Sequence, residues 1–186
     1  MNTVEFIKEL QKADKASKWL FTTADFKSMF PADTAESLKK ALARQISNGL
    51  IERVSQGLYA NPAAQSKPTA KLESLVAYLR EDEFNMLTGE TVLSRWHVIS
   101  QMMFDYLVVM TTGSSRKFET AYGTIEFIHT KQNVKALQDN NKVVFDETLN
   151  LHVATVEQAY KDLKSLNRNL DLVDMEELQE SIEDQN

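Results

Sequence analysis

The sequence predicts an α+β fold in two domains, residues 1–66 and residues 69–186. Three observations lead to this prediction. The chain has 186 residues, of which 42% are hydrophobic, and this is enough for two small cores. Apolar residues recur at helical spacing in some segments and in strand-like runs in others. A short polar stretch around Pro62 and Pro68 separates a basic part of the chain from an acidic part.

The charge distribution supports this division. Residues 1–71 contain 11 Lys and Arg against 7 Asp and Glu, a net charge of +4, whereas residues 72–186 contain 10 against 20, a net charge of −10. A basic domain attracts nucleic acid even in a protein that is acidic overall, and the acidic domain limits nonspecific binding. We therefore expect the two parts of the chain to have different partners.

Two helices are expected at the start of the first domain. Residues 1–13 carry apolar side chains at helical spacing. Residues 24–30 are predicted to form a short helix that Thr23 caps. Pro31 cannot continue that helix, so a tight turn should follow it.

The third predicted helix is amphipathic. Asp33 is expected to cap its start, with Glu36 completing a capping box, and Gly49 is expected to end it. One side of the helix should pack on the core. That apolar stripe consists of Leu38, Ala41, Leu42 and Ile46.

Two short strands are predicted directly after the third helix. Residues 50–54 and 58–61 are strand-like, and a Ser-Gln-Gly turn at residues 55–57 joins them. The order of helix, tight turn, helix and two-stranded hairpin is typical of a DNA-binding unit with a reading helix and a wing. The sequence therefore predicts an N-terminal winged helix-turn-helix domain.

The outer face of the third helix carries the candidate DNA-binding residues. A projection at roughly 100° per residue aligns hydroxyls and cations opposite the apolar stripe. Lys and Arg side chains suit phosphates and guanine edges, and hydroxyls suit phosphate or base edges. An ordinary solvated helix face is the alternative, but the neighbouring turn and hairpin favour DNA binding. The candidates are Ser37, Lys39, Lys40, Arg44 and Ser47 on the helix and Arg53, Ser55 and Gln56 on the hairpin.

The second domain is predicted to mix helices and strands. Residues 171–184 contain seven carboxylates and no cation, and a solvated terminal helix is favoured there over an arm that binds a partner. The other expected helices cover residues 72–79, 88–98 and 156–166, the last with Thr155 and Gln158 as a capping box, and the expected strands cover residues 106–112, 117–121, 124–129 and 149–154.

The sequence gives little support for catalysis, and we expect no catalytic residue, no cofactor and no metal site. His97, His129 and His152 are isolated in the sequence, and structural histidines are favoured over metal ligands. Residues 113–117 lack the P-loop spacing and are expected to form a turn, in which Arg116 could still contact DNA backbone or an acidic partner, as could Lys117.

A cytoplasmic protein without membrane contact is predicted. The chain contains no cysteine, so disulfides and thiolate metal sites are excluded. No apolar run approaches the roughly 20 residues that a membrane-spanning helix needs, and the N-terminal segment has no signal-peptide pattern.

Four segments resemble the AbiEi-type antitoxins and transcriptional regulators of type IV abortive-infection toxin–antitoxin systems. Residues 50–62 are similar to the family's hairpin, which ends in Gly-hydrophobic-Tyr. Residues 90–99, ETVLSRWHVI, are similar to a family helix, and residues 116–129 to a hairpin with Gly-x-Ile-x-Phe after its turn. Residues 153–163, VATVEQAYKDL, extend the likeness over nearly the whole chain.

The resemblance implies an antitoxin that represses its own operon. Its winged helix would bind double-stranded DNA in the promoter, at inverted repeats, and its C-terminal domain would counteract a nucleotidyltransferase toxin of AbiEii type in phage defence. A stand-alone winged-helix regulator without a toxin is the alternative, and an enzyme is the third hypothesis. The sequence leaves the operator and the oligomeric state open.

Overall fold

The protein is an α+β protein whose chain divides into two compact units, Met1–Thr69 and Ala70–Asn186. The computed structural model describes residues 1–100 and 105–185. No helix in these two ranges is both long enough and apolar enough to cross a membrane.

The first unit contains three helices and three short strands in the described chain. Its sheet is antiparallel, with β3 in the centre, so that Ala60 of β3 pairs with Leu20 of β1 and with Glu52 of β2. The strand β1 is a third strand beside the two that the sequence predicts. In chain order the elements are α1 (Thr3–Lys15), β1 (Leu20–Thr22), α2 (Thr23–Met29), α3 (Ala35–Ser47), β2 (Glu52–Ser55) and β3 (Leu58–Ala60).

Stacked phenylalanines form the core of the first unit. The ring of Phe26 lies 5.5 Å from that of Phe6 and 5.2 Å from that of Phe21, measured between centroids. From α3, Leu38 and Leu42 pack into the same cluster, and each is only 2% exposed. Burying one such side chain contributes about 1.5–3 kcal/mol, so the inner face of α3 fixes the orientation of its outer face.

Both predicted helix caps of the first unit are one residue off. Thr22, not Thr23, caps α2, and it forms a capping box with Asp25. The reason lies in the backbone. Thr22 ends β1 in an extended conformation, as an N-cap requires, whereas the Thr23 N–H already donates to the carbonyl of Gly57.

Thr34, not Asp33, caps α3 by accepting a hydrogen bond from the Ser37 N–H. Asp33 belongs to the preceding turn, where its own N–H donates to the Phe30 carbonyl. Its carboxylate accepts from the Ser37 hydroxyl and pairs with the Met1 amino group at 3.0 Å. These two donors hold the pKa of the Asp33 carboxyl below its usual range.

The second unit is built on a mixed sheet with the order β6-β7-β5-β4-β9-β8. The pairs β5 with β7 and β4 with β9 are parallel, and the other neighbouring strands are antiparallel. Its elements are α4 (Lys71–Leu79), β4 (Asn85–Leu87), α5 (Glu90–Arg95), β5 (Tyr106–Thr111), β6 (Arg116–Thr120), β7 (Gly123–His129), α6 (Val134–Asp139), β8 (Val143–Asp146), β9 (Leu151–Ala154), α7 (Val156–Leu166), a 3-10 turn (Leu170–Leu172) and α8 (Met175–Gln185).

Three elements of this unit were not predicted, and two predicted helices are shorter than expected. The unpredicted elements are β4, α6 and β8. The helix α5 ends at Arg95, not at residue 98, because His97 adopts a left-handed conformation with φ of 60°. The acidic helix α8 begins at Met175, after the 3-10 turn.

A buried polar network replaces the predicted capping box at α7. Thr155 caps the helix as predicted, but the Gln158 side chain turns inward and donates to Asp162 at 2.7 Å. Asp162 is 1% exposed and also accepts from Thr88 and Gln132, at 2.6 and 2.8 Å. Burial raises the pKa of Asp162, and the three donors partly offset that effect.

A second polar network joins three parts of the same unit. The Arg168 guanidinium donates to the Glu90 carboxylate at 2.7 Å and to that of Glu126 at 2.8 Å. The hydroxyl of Tyr106 donates to Glu126 as well, and burial together with this bond raises the pKa of Tyr106 to about 12. The carboxylates of Glu90 and Glu126 are therefore paired with the Arg168 guanidinium, which offsets the cost of removing these charges from water.

Candidate nucleic-acid interface

The outer face of α3 is a solvent-exposed surface with an excess of cations. The side opposite Leu38 and Leu42 carries one carboxylate, Glu36, against three cations. All five helix residues singled out from the sequence lie exposed on α3: Ser37, Lys39, Lys40, Arg44 and Ser47. We call these five residues, together with Glu36, the α3 face.

Local contacts hold several side chains of the α3 face. Lys40 pairs with Glu36 one turn earlier, at 2.8 Å, and both side chains are about three-quarters exposed, at 76% and 78%. Arg44 donates to the Met1 carbonyl at 3.2 Å. Among the described residues Lys39 has no hydrogen bond or ion pair, so its ammonium group is free to meet a phosphate.

A shallow depression of about 460 Å³ lies on this face, where α3 meets Met1 at the start of the chain. Met1 and Thr34 form part of its wall, and Lys40 and Arg44 supply its positive charge. Glu36 also lines the depression and lowers that charge. The depression therefore suits an anionic group less well than it would without Glu36.

The β2–β3 hairpin carries the other three candidates. Arg53 and Gln56 are exposed, whereas Ser55 is half-buried. The Arg53 guanidinium donates to the Ser55 carbonyl at 3.3 Å, which holds it against its own hairpin. A register shift between Arg53 and Ser55 marks an irregularity in the strand pairing of β2 with β3.

Gly57 shapes the tip of the hairpin. Its φ of +76° lies in the left-handed region that favours glycine. Its carbonyl accepts a hydrogen bond from the Thr23 N–H at 3.0 Å. The hairpin tip is thus tied to the start of α2, and α2 and α3 belong to the same packed core.

Sequence reasoning did not identify two contacts of this surface. The pairing of Glu36 with Lys40 could have been found, because residues four positions apart face each other on a helix. The contact between Met1 and Arg44 could not, because it joins residues 43 positions apart in the chain.

The three histidines lie apart from one another in the described chain. His97 is exposed after α5, and His152 lies between the rings of Phe84 and Phe145, where burial lowers its pKa. His129 contacts the Gly113 carbonyl through Nδ1 at 2.8 Å. Within residues 1–100 and 105–185 no three His, Cys, Asp or Glu side chains are grouped as metal ligands would be.

The two cations after Gly113 are exposed on the edge strand β6. The Arg116 guanidinium lies over the Phe118 ring, 4.6 Å from its centroid, and the Lys117 ammonium lies 5.3 Å from that of Tyr106. Both remain accessible to an anionic partner.

Comparison with known proteins assigns the chain to a family. Residues 5–175 match a family described as a family of unknown function, DUF6088. The chain belongs to the DUF6088 family. No curated protein matches its sequence.

A solved structure shares the fold of this DUF6088 chain. The crystal structure of the RV2827C protein from Mycobacterium tuberculosis superimposes with a TM-score of 0.56 and covers 98% of this chain and 72% of that protein. The two sequences are 13% identical, so the likeness concerns the fold alone.

Proposed function

We propose that this protein binds double-stranded DNA through its first unit, which we interpret as a winged helix-turn-helix, and that it represses its own promoter in the cytoplasm. In this proposal α3 enters the major groove and the β2–β3 hairpin is the wing beside it. The protein acts by binding, without a catalytic centre or a cofactor.

The observation that carries the proposal is the arrangement of the first unit. Its element order, α1-β1-α2-α3-β2-β3, combines two helices across a tight turn with a three-stranded sheet. Winged helix-turn-helix domains have this order, and the helix after the turn, which corresponds to α3 here, contacts base edges in the major groove. The basic α3 face is the exposed side of that same helix.

Charge gives further support. The first unit contains ten Lys and Arg against seven Asp and Glu. Because phosphate contacts supply most nonspecific affinity, this excess favours association with DNA. Exposed Lys39 and Arg44 suit phosphate and base-edge contacts.

The experiment is a binding titration of the full chain on a labelled fragment of its own promoter. Arg44→Ala is expected to weaken binding by about 1–3 kcal/mol if the arginine reads a base. Lys39→Ala is expected to weaken binding to all sequences and to reduce the salt slope by about one. Lys8→Ala and Lys15→Ala, on exposed positions of α1, remove the same charge outside the α3 face and are the matched controls. Equal losses in all four variants would contradict the placement of the reading helix.

The hairpin is tested separately. Arg53→Ala and Gln56→Ala are expected to lower affinity, and the Arg53 variant should also flatten the salt dependence, because a guanidinium at a phosphate releases a counterion. Full affinity at raised salt without the Arg53 side chain would assign the hairpin a structural role only.

The AbiEi-like resemblance supports a second part of the proposal, an antitoxin role against a nucleotidyltransferase toxin. A toxin gene beside this one would favour that role, whereas its absence would favour a stand-alone regulator. Co-expression with the toxin tests it directly, because protection should persist in the Arg44→Ala variant if the second unit provides it.

A further inference from the structure

Strand β8 is a free edge of the sheet in the second unit. It pairs with β9 on one side, and no other described strand pairs with it. Val144 is 56% exposed and Phe145 is 48% exposed, which is unusual for large apolar side chains in a strand. An exposed apolar edge with unpaired backbone groups is a template for another strand.

Two residues of β8 direct their backbone N–H and C=O groups away from β9. The carbonyl of Lys142 accepts from the Thr155 N–H at 2.9 Å. In an antiparallel pair the hydrogen-bonding residues alternate, so the polar groups of Val144 and Asp146 also face β9. The N–H and C=O groups of Val143 and Phe145 therefore face the free side.

We propose that β8 pairs with β8 of a second copy of this chain, antiparallel and about a two-fold axis, with Val144 opposite Val144. In this register Val143 of each copy lies opposite Phe145 of the other. Both residues have outward-facing backbone groups, so the two copies exchange four backbone hydrogen bonds. The Val144 pair at the axis is then a non-hydrogen-bonded pair, as alternation requires.

The side chains of β8 are self-complementary in this register. On one face Lys142 lies opposite Asp146 of the second copy, on both sides of the Val144 pair. Within its own chain Lys142 pairs with Glu157, and the Asp146 carboxylate accepts from the backbone N–H groups of Thr148 and Leu149. The complementarity therefore rests on the opposite charges of the two side chains and not on unpaired groups. Opposite charges facing each other across strands stabilise a pair, and so do apolar side chains. A register centred on Phe145 would place Val144 opposite Asp146 and Val143 opposite Glu147. It would keep one apolar pair, Phe145 with Phe145, but it would lose both charge pairs and set two valines against carboxylates.

The complementarity favours a second copy over an unrelated strand, because one short sequence supplies both halves of the charge pattern. Four residues per edge bury less than the roughly 1,200 Å² of a standard interface. The dimer should therefore be weak and its population should depend on protein concentration.

A cysteine cross-link tests the register on the full chain. The chain has no cysteine, so the Val144→Cys variant carries a single thiol. Opposed residues of a non-hydrogen-bonded pair are about 4.5 Å apart between Cα atoms, within the range that a disulfide spans. Under mild oxidation with oxidised glutathione this variant should form covalent dimers at least tenfold faster than Glu147→Cys. Glu147 is also exposed, but in the proposed register its two copies lie far apart.

Sedimentation of the cysteine-free chain gives the second measurement. The average mass should rise from one copy towards two with increasing concentration, and Val144→Lys should abolish the rise, because it places two cations at the axis. Circular dichroism checks that each variant is folded. A mass of one copy at every concentration, equal cross-linking rates for the two cysteine variants, or a dimer that Val144→Lys leaves intact would each overturn the proposal.

Discussion

Replacing Glu36 by Gln should strengthen DNA binding, which is the opposite of what most substitutions in an interface do. Glu36 is the single carboxylate of the α3 face, and it pairs with Lys40 at 2.8 Å. When DNA binds, the Glu36 carboxylate therefore competes with a DNA phosphate for the Lys40 ammonium group. In the complex the negative charge of Glu36 also repels the phosphates of the DNA backbone.

The size of the effect follows from these two terms. An exposed helix pair of this kind is worth about 0.3–0.5 kcal/mol, which DNA must overcome to recruit Lys40. A carboxylate about 7 Å from a phosphate in water adds roughly 0.6 kcal/mol of repulsion. Together they amount to about 1 kcal/mol, or roughly a fivefold increase in affinity. If Lys40 then neutralises one more phosphate, the salt slope should steepen by about 0.9.

The assay is a fluorescence anisotropy titration of the promoter fragment at several salt concentrations. Glu9→Gln is the matched control, because Glu9 also pairs with a lysine one turn away, Lys12, but lies on α1. A small loss of stability, about 0.3–1 kcal/mol by urea unfolding, is expected for Glu36→Gln, because Glu36 lies in the first turn of α3. Unchanged or weaker binding by Glu36→Gln, with Glu9→Gln at wild-type affinity, would refute the idea that the α3 face contacts DNA.

Three further predictions concern the stability of the fold. Thr34→Ala should lower the free energy of unfolding by about 1 kcal/mol, because the hydroxyl caps α3; a larger loss for Asp33→Ala in the same urea titration would restore Asp33 as the cap. Gly57→Val should destabilise the first unit by about 1–3 kcal/mol, because a β-branched residue is strained at a φ of +76°, and an unchanged melting temperature would exclude that strain. Hydrogen bonds from Lys142 and Lys161 lower the pKa of Glu157 to about 2; stability from this group is therefore present above the ordinary pKa of about 4.3 and lost as the pH falls towards 2, a loss that Glu157→Gln should reduce.

Helical spacing predicted α3 well, because its long apolar stripe contains Leu38 and Leu42. It failed at Gln45, which is fully buried although it is polar, while Ile46 is only partly buried. The Gln45 amide lies at 3.5 Å from the Thr3 hydroxyl. A contact between residues 42 positions apart leaves no trace in local periodicity.

Short strands were the other failure of sequence reasoning. Strands β4 and β8 have three and four residues, too few for an alternating pattern to stand out from an apolar run. The equally short β2 and β3 could be predicted because a glycine turn joins them as a hairpin. Both β4 and β8 form because neighbouring strands of the sheet pair with them. Met86 of β4, for example, pairs with Met110 of β5 and with His152 of β9. At the candidate site, the helix period predicted that the cations of α3 are exposed. It could not predict that Arg44 donates to the Met1 carbonyl or that Arg53 donates to the Ser55 carbonyl, because these contacts form only in the folded chain.

Dimerisation through β8 should strengthen binding to DNA. A dimer joined at β8 carries two α3 faces, and once one face is bound the second binds at the effective concentration set by the linkage. A promoter with two half-sites should then bind more tightly and with a steeper salt slope than a single half-site, because more phosphates are neutralised. Val144→Lys should remove this advantage without weakening binding to one half-site, since Val144 lies in the second unit. Loss of single-site binding in that variant would show that β8 serves DNA binding by some route other than dimerisation.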